Sequence, residues 1–181
     1  MVRLEGERLT LREWRADEVD AMHRWLGDPR VTRYLSFRSK IREESASHLA
    51  ECLRDQEQTD RERYFLAMEL NESQRIIGDA GFQWTCRDGA RREGGFGYFV
   101  EAEHWGRGYA TEAAKLVLLF AFDELGASIM RASCDARNAA SERVMLKCGM
   151  KRDPDLASRR ERLFYRVSRE DWNADRAERK G

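Results

Sequence analysis

No excess of either charge marks this sequence: 33 Lys and Arg balance 33 Asp and Glu across 181 residues. Zero net charge speaks against a general affinity for nucleic acid or an acidic membrane and leaves only local patches to consider. Long apolar runs are missing too. The longest, Leu116 to Phe122, is far shorter than the ~20 residues a bilayer-spanning helix needs. The opening MVRLEGERLTLREW is charged and holds no apolar signal segment, so the expected compartment is the cytoplasm. Cys52, Cys86, Cys134 and Cys148 form no CxxC pair and read as reduced, mostly buried thiols. His23, His48 and His104 lack metal-ligand spacing, so no metal site is expected. No linker, repeat or low-complexity segment divides the chain, and one domain over residues 1–181 is expected.

What is present is an ordinary core under a highly charged surface, with 41% apolar and 36% charged residues. Arg8 to Arg12 alternates like a short strand. Asp17 to Leu26 places Val19, Met22, Trp25 and Leu26 on one helical face, and Asp28-Pro29 ends it. Val31 to Ser39 reads as a loop or short helix, and Glu43 to Gln58 as a polar helix with Ala46, Leu49, Ala50 and Leu53 as its seam. Tyr64 to Leu70 and Arg75 to Trp84 form a hairpin around Asn71-Glu72-Ser73-Gln74, and Gly94 to Val100 adds a third strand. Gly94, Gly95 and Gly97 suggest a bulge or a close backbone approach there. Then come a helix from Tyr109 to Leu125, a strand from Ile129 to Cys134 and a helix from Ala139 to Cys148. Two last strands, from Met150 and over Leu163 to Val167, flank a charged loop, with a polar helix or tail from Arg169. The order is α+β.

One stretch carries chemistry. Trp105-Gly106-Arg107-Gly108-Tyr109-Ala110-Thr111-Glu112-Ala113 is a Gly-x-Gly turn that follows a strand and opens a helix. Unpaired N–H groups and the helix dipole make such a terminus a site for anions, and the glycines let a bulky phosphate come close. A tight turn alone would explain the glycines. A dinucleotide fingerprint fails, since Thr111 fills the third glycine slot and the preceding strands are hairpins rather than βαβ units. Glu112 reads as a structural acid near the helix N-terminus.

In order along the chain, Arg8-Leu-x-Leu-Arg12, Trp14, Asp17, Asp28-Pro29, Val31-x-x-Tyr34-Leu35, Ile77-Gly78, Gly97-Tyr98, the glycine turn, Asn138-x-x-Ser141-x-x-Val144, Lys147-x-Gly149, Leu163-x-Tyr165 and Arg169-Glu-Asp-Trp172 resemble the GCN5-related N-acetyltransferase (GNAT) family, in particular its ribosomal-protein (RimJ/RimL-like) branch. The resemblance implies a mixed, mostly antiparallel twisted sheet of about seven strands, flanked by helices and splayed at the cofactor site. It implies acetyl-CoA as co-substrate and direct transfer of acetyl to a primary amine, most naturally the N-terminal α-amine of a protein. Relatives acetylate antibiotics, polyamines or amino acids instead, and a non-catalytic acyl-CoA-binding module is the rival of another class. A homodimer is expected, as among relatives.

By the same resemblance Trp105, Gly106, Arg107, Gly108, Tyr109, Ala110 and Thr111 bind the cofactor, with its pyrophosphate on the amides of Arg107, Gly108, Tyr109 and Ala110, and the pantetheine arm pairs with backbone at Phe99 and Val100. Asn138 and Ser141 hold the far side of the arm. The tyrosine that protonates the leaving thiolate in much of the family is replaced by Met145, which makes Ser141 the expected acid, with helix capping as its alternative role and Tyr165 as a second candidate. Glu161 is the expected base, with Asp79, Glu101 and Glu103 as rivals. A base is dispensable for an α-amine of pKa about 7.7–8.0, since much of it is already neutral. The acceptor mouth is expected around Trp14, Tyr34, Phe37, Trp84 and Arg159-Arg160.

Overall fold

In the computed structural model, which describes residues 1–89, 91–154, 156 and 161–178, a single sheet organises the chain. Its strands are β1 (Arg3–Glu5), β2 (Leu9–Arg12), β3 (Arg63–Leu70), β4 (Ile76–Asp88), β5 (Arg91–Val100), β6 (Ile129–Asp135), β7 (Lys151–Arg152) and β8 (Arg162–Ser168), in the order β1-β2-β3-β4-β5-β6-β8-β7. The helices are α1 (Val19–Leu26), α2 (Pro29–Thr32), α3 (Arg42–Gln56), α4 (Tyr109–Leu119), α5 (Ala139–Lys147) and α6 (Arg169–Glu178). Every pairing is antiparallel except β5 with β6.

The two-residue period of the strands divides the apolar residues between two faces. Leu66 and Met68 pack with Ala80, Phe82, Val100 and the buried side of α4, namely Ala113, Ala114, Val117 and Leu118. Ala67 joins Trp14, Met22, Trp25, Leu26, Leu49 and Cys52 on the other face, under α1 and α3. Each fully buried Leu, Met or Phe in these clusters contributes about 1.5–3 kcal/mol.

The splayed pair follows from the register of β5 and β6. They are joined only where Glu93, Gly94 and Gly95 meet Ile129, Met130 and Arg131. Beyond that, Phe96 to Val100 pairs with β4 alone and Ala132 to Asp135 with β8 alone, which leaves a gap between the strands. Gly94 lets the strands meet closely at the vertex, since a Cβ there would lie 3.0 Å from Met130 Sδ and 3.1 Å from the Phe82 ring. A bulge between Trp84 and Cys86 sits beside it.

Several expectations need correction. The expected mixed, mostly antiparallel sheet of about seven strands is found, and β1, whose three residues carry too little alternation to read, adds an eighth at its edge. The buried seam of α3 runs through Ser45, Leu49 and Cys52; of the expected seam Leu49 is buried and Leu53 packs partly against the cluster, while Ser45 and Cys52 replace Ala46 and Ala50, so the helix is rotated toward α1, and Ser45 Oγ meets His23 Nδ1 at 3.0 Å. The helix opened by the glycine turn stays α-helical only to Leu119. A π turn over Phe120–Glu124, with Leu125 N–H donating to Phe120 O, keeps Phe120, Ala121 and Phe122 all buried before Gly126 (φ 76°) ends it. Trp14 is a core residue, not part of an open mouth. Arg159 and Arg160 lie outside the described residues.

Candidate active site

The glycine turn is built as an anion cradle. Gly106 (φ 75°) and Gly108 (φ 85°) take the left-handed conformation that side chains resist, and Gly108 is the N-cap of α4. Thr111 and Glu112 N–H both donate to Gly108 O, so the first helical turn closes. Among the described residues, no acceptor meets the N–H groups of Gly106, Arg107, Gly108, Tyr109 or Ala110. Arg107 stands exposed beside them. Trp105, 50% exposed, donates its indole N–H to Val100 O at 2.8 Å and ties the turn to the end of β5.

A brace unseen in the sequence holds the turn from behind. Arg8 at the start of β2 donates to Glu112 Oε2 and to Arg107 O, each at 2.8 Å, and its guanidinium lies 4.9 Å from the centre of the Tyr109 ring. The backbone N–H of Arg8 donates to Glu112 Oε1 at 2.8 Å. Glu112 therefore has the structural role expected of it, and Arg8 gains one that no local pattern could signal, since the partners are 104 positions apart.

Backbone polarity decides what β5 offers the gap. Glu101 N–H donates to Ile77 O on the β4 side, and the two-residue period sends the N–H and C=O of Phe99 and Gly97 the same way. Tyr98 and Val100 point theirs into the gap. Phe99, expected to pair with the pantetheine arm, thus has its backbone engaged by Asp79 of β4, and its ring stacks on Trp25 at 4.8 Å. Val100 faces the gap, with its C=O held by Trp105.

The far wall is the start of α5. Asn138 is the N-cap: its Oδ1 accepts from Ser141 N–H at 3.1 Å, and its amide NH2, with no acceptor among the described residues, is available to donate to a ligand. Capping is therefore the task of Asn138 and not of the Ser141 hydroxyl. Ser141 Oγ lies 2.9 Å from Tyr98 Oη, across the gap from β5. Met145, in the slot of the missing tyrosine, is buried in the core. Tyr165, 2% exposed, donates to Glu142, and burial raises its pKa; Arg152 covers its ring at 4.9 Å. The structure brings Asn138, Ser141 and Tyr98 together and sets the Tyr165 hydroxyl against Glu142 instead.

Free amides at a helix N-terminus, a gap running from them between two strands and a polar wall at its far side fit a long ligand with a phosphate at one end. The sequence model of the acetyltransferase (GNAT) domain family matches residues 8–151. The chain belongs to the GNAT family. It is an acyl-CoA-dependent transferase, and acetyltransferases of this family use acetyl-CoA as co-substrate. An uncharacterized N-acetyltransferase of Bacillus licheniformis, p20, is 27% identical over 165 residues, covering 88% of this chain and 91% of that protein. The ribosomal-protein-S5-alanine acetyltransferase of Vibrio fischeri shares the fold with a TM-score of 0.76 at 16% identity, over 95% of this chain and 99% of that one. FdhC, a nucleotide-linked sugar GNAT, does so at 0.79 and 16%, over 99% and 97%. One architecture thus serves proteins named for different acceptors.

The carboxylates of this GNAT protein divide sharply. Glu101, 3% exposed, is held by Arg24 at 2.6 Å and Arg75 at 2.7 Å. Glu103 is exposed and paired with Arg30 at 2.7 Å, which lowers its pKa. Asp79 is fully buried with no partner among the described residues, and burial pushes its pKa well up. Glu161, exposed at the start of β8, takes a left-handed φ of 68°, and its backbone O accepts from Ala136 N–H at 2.6 Å. Among the described residues no group of three His, Cys, Asp or Glu is placed to hold a metal, and no helix is long and apolar enough to cross a membrane.

Proposed function

We propose that this protein moves the acetyl group of acetyl-CoA directly to the α-amine of a protein N-terminus, as the ribosomal-protein branch of the family does. The cofactor half of the reading rests on the free amides of Arg107 to Ala110 and on the gap that leads from them to Asn138 and Ser141. The acceptor half rests on one observation: three of the four candidate bases are already engaged or buried. Glu101 and Glu103 are neutralised by arginines, and Asp79 is sealed in the core. Glu161 is left as the group to receive a proton at the mouth. A site this poor in free carboxylate favours an acceptor that is neutral on its own. At pH 7.5 roughly a third of an α-amine is neutral, against roughly one in a thousand for a lysine side chain.

Phe37 supports the same choice. It is exposed on the α1 and α3 side, 6.4 Å from the Phe99 ring, with Lys40 Nζ 5.4 Å from its centre. A lysine over that aromatic wall repels polycations, so polyamines and aminoglycosides are disfavoured relative to a peptide with one amine.

The test is a panel of short peptides with different N-terminal residues, set beside polyamines, amino sugars and aminoglycosides and read by release of free thiol. Peptides are expected to turn over fastest. Faster turnover of a polyamine or an amino sugar would replace the acceptor class. Absence of both thiol release and thermal stabilisation by acetyl-CoA would overturn the whole reading.

A further inference from the structure

The contact between Tyr98 and Ser141 has a direction. Burial raises the Tyr98 pKa and keeps the side chain a neutral phenol, whose O–H needs an acceptor. Two are in reach, both on Ser141: Oγ at 2.9 Å and the backbone O at 3.5 Å, the outer limit for such a bond. Tyr98 therefore donates to Ser141 Oγ. Asn138 Oδ1 caps the helix through the Ser141 N–H, so the hydroxyl is not needed as the cap, and among the described residues its partner is Tyr98. With its lone pair engaged by Tyr98, the Ser141 hydroxyl has its proton left over for the gap, on the same side of β5 as the outward backbone of Tyr98 and Val100.

We propose that Tyr98 is a positioning residue for acetyl transfer: its phenol fixes Ser141 as a hydrogen-bond donor to the departing sulfur. This rests on the acetyl-CoA reading above and sharpens it. The amine nitrogen forms a C–N bond with the thioester carbonyl carbon as the C–S bond breaks, and sulfur leaves with the electron pair as a thiolate. The extra proton of the amine passes to water or Glu161. Ser141 keeps its own proton, because an alcohol is a far weaker acid than a thiol. The serine thus stabilises the thiolate by a hydrogen bond and does not protonate it, which removes any need to reload a serine alkoxide. Met145 fits this account, since no other acid stands in that slot.

Binding tests the idea without an acceptor. Coenzyme A and its desulfo analogue, in which hydrogen replaces the thiol, are titrated calorimetrically at pH 9, where a fraction of the thiol is ionised and preferential binding of the thiolate draws more of it into that form. The proteins are the wild type, Tyr98→Phe, Ser141→Ala and the double variant. The wild type should prefer coenzyme A by about tenfold, as for one hydrogen bond to a charged group. Tyr98→Phe and Ser141→Ala should each cut the preference to about twofold, and the double variant should cut it no further, as coupled partners require. The ratio cancels any general loosening of the site, which weakens both ligands alike, and Tyr98→Phe retains the buried ring. A wild type indifferent to the sulfur overturns the inference, as does a Tyr98→Phe protein with the full preference or a double variant in which two independent losses add. Those results leave the acetyltransferase reading standing. If the wild type binds neither ligand, that reading falls and the inference falls with it.

Discussion

Replacing Asp79 with Asn should stabilise the fold, and increasingly so as pH rises. Asp79 sits on β4 between Ala67 of β3 and Phe99 of β5, 0% exposed, with neither carboxylate oxygen partnered among the described residues. Desolvation drives its pKa well above the usual carboxylate range, and the positive charge of Lys40 only partly opposes this. Below the unfolded pKa of about 3.9, folded and unfolded chains both carry the proton and nothing is lost. Above it the unfolded chain releases the proton while the folded chain keeps it. Stability then falls by about 1.4 kcal/mol per pH unit until the folded pKa is reached. For a chain of this length that is about 3–5 °C in Tm per unit. Asn has the same shape, leaves a similar polar group buried and does not titrate. Melting curves of the two proteins from pH 4 to pH 8 should start within about 1 kcal/mol of each other, since the unpaired groups cost alike, and then diverge at that slope before levelling off. Parallel curves would refute the claim that Asp79 is a buried neutral acid. A variant less stable at every pH would mean that the carboxyl is held by a partner.

Arg8→Ala removes the brace behind the turn and should weaken acetyl-CoA binding by about tenfold, with kcat changed much less, because charge-assisted bonds to Glu112 and Arg107 O are lost; calorimetry against steady-state kinetics separates the two. Gly108→Ala forces a Cβ into a φ of 85° and to 3.3 Å from Arg8 Nη2, and should cost about 1–2 kcal/mol in urea melts while loosening the same site. Glu101→Gln leaves Arg24 and Arg75 without their shared carboxylate. Both arginines are about half exposed to water, so the expected loss is about 1–3 kcal/mol rather than the 3–5 of a sealed pair, again read in urea.

Local signals carried most of the fold. The hairpin around Asn71, the glycine turn and the Asn138 cap are each written in a few neighbouring residues and are found where their chemistry puts them. What escaped was set by partners far along the chain. The α3 seam moved to Ser45 and Cys52 because α1 packs on that side, and Trp14 is buried because α1 and α3 close over it. Arg8 and Glu112 look like unrelated charges until β2 passes behind α4. Tyr98 was visible only as part of a Gly-Tyr pair, and its reach to Ser141 depends on how far β5 and β6 diverge. The orientation of Phe99 depended on one parity, which the hydrogen bond from Glu101 to Ile77 decides.

Mass spectrometry of the reaction products tests the central claim most directly. Acetyl-CoA and the best peptide of the panel, incubated with the protein, should give free coenzyme A and an equal amount of peptide acetylated on its α-nitrogen, with no acetyl group on the protein itself at any time. Coenzyme A released without an acetylated amine, or an acetyl group carried on the protein before it reaches the peptide, would contradict direct transfer at this site.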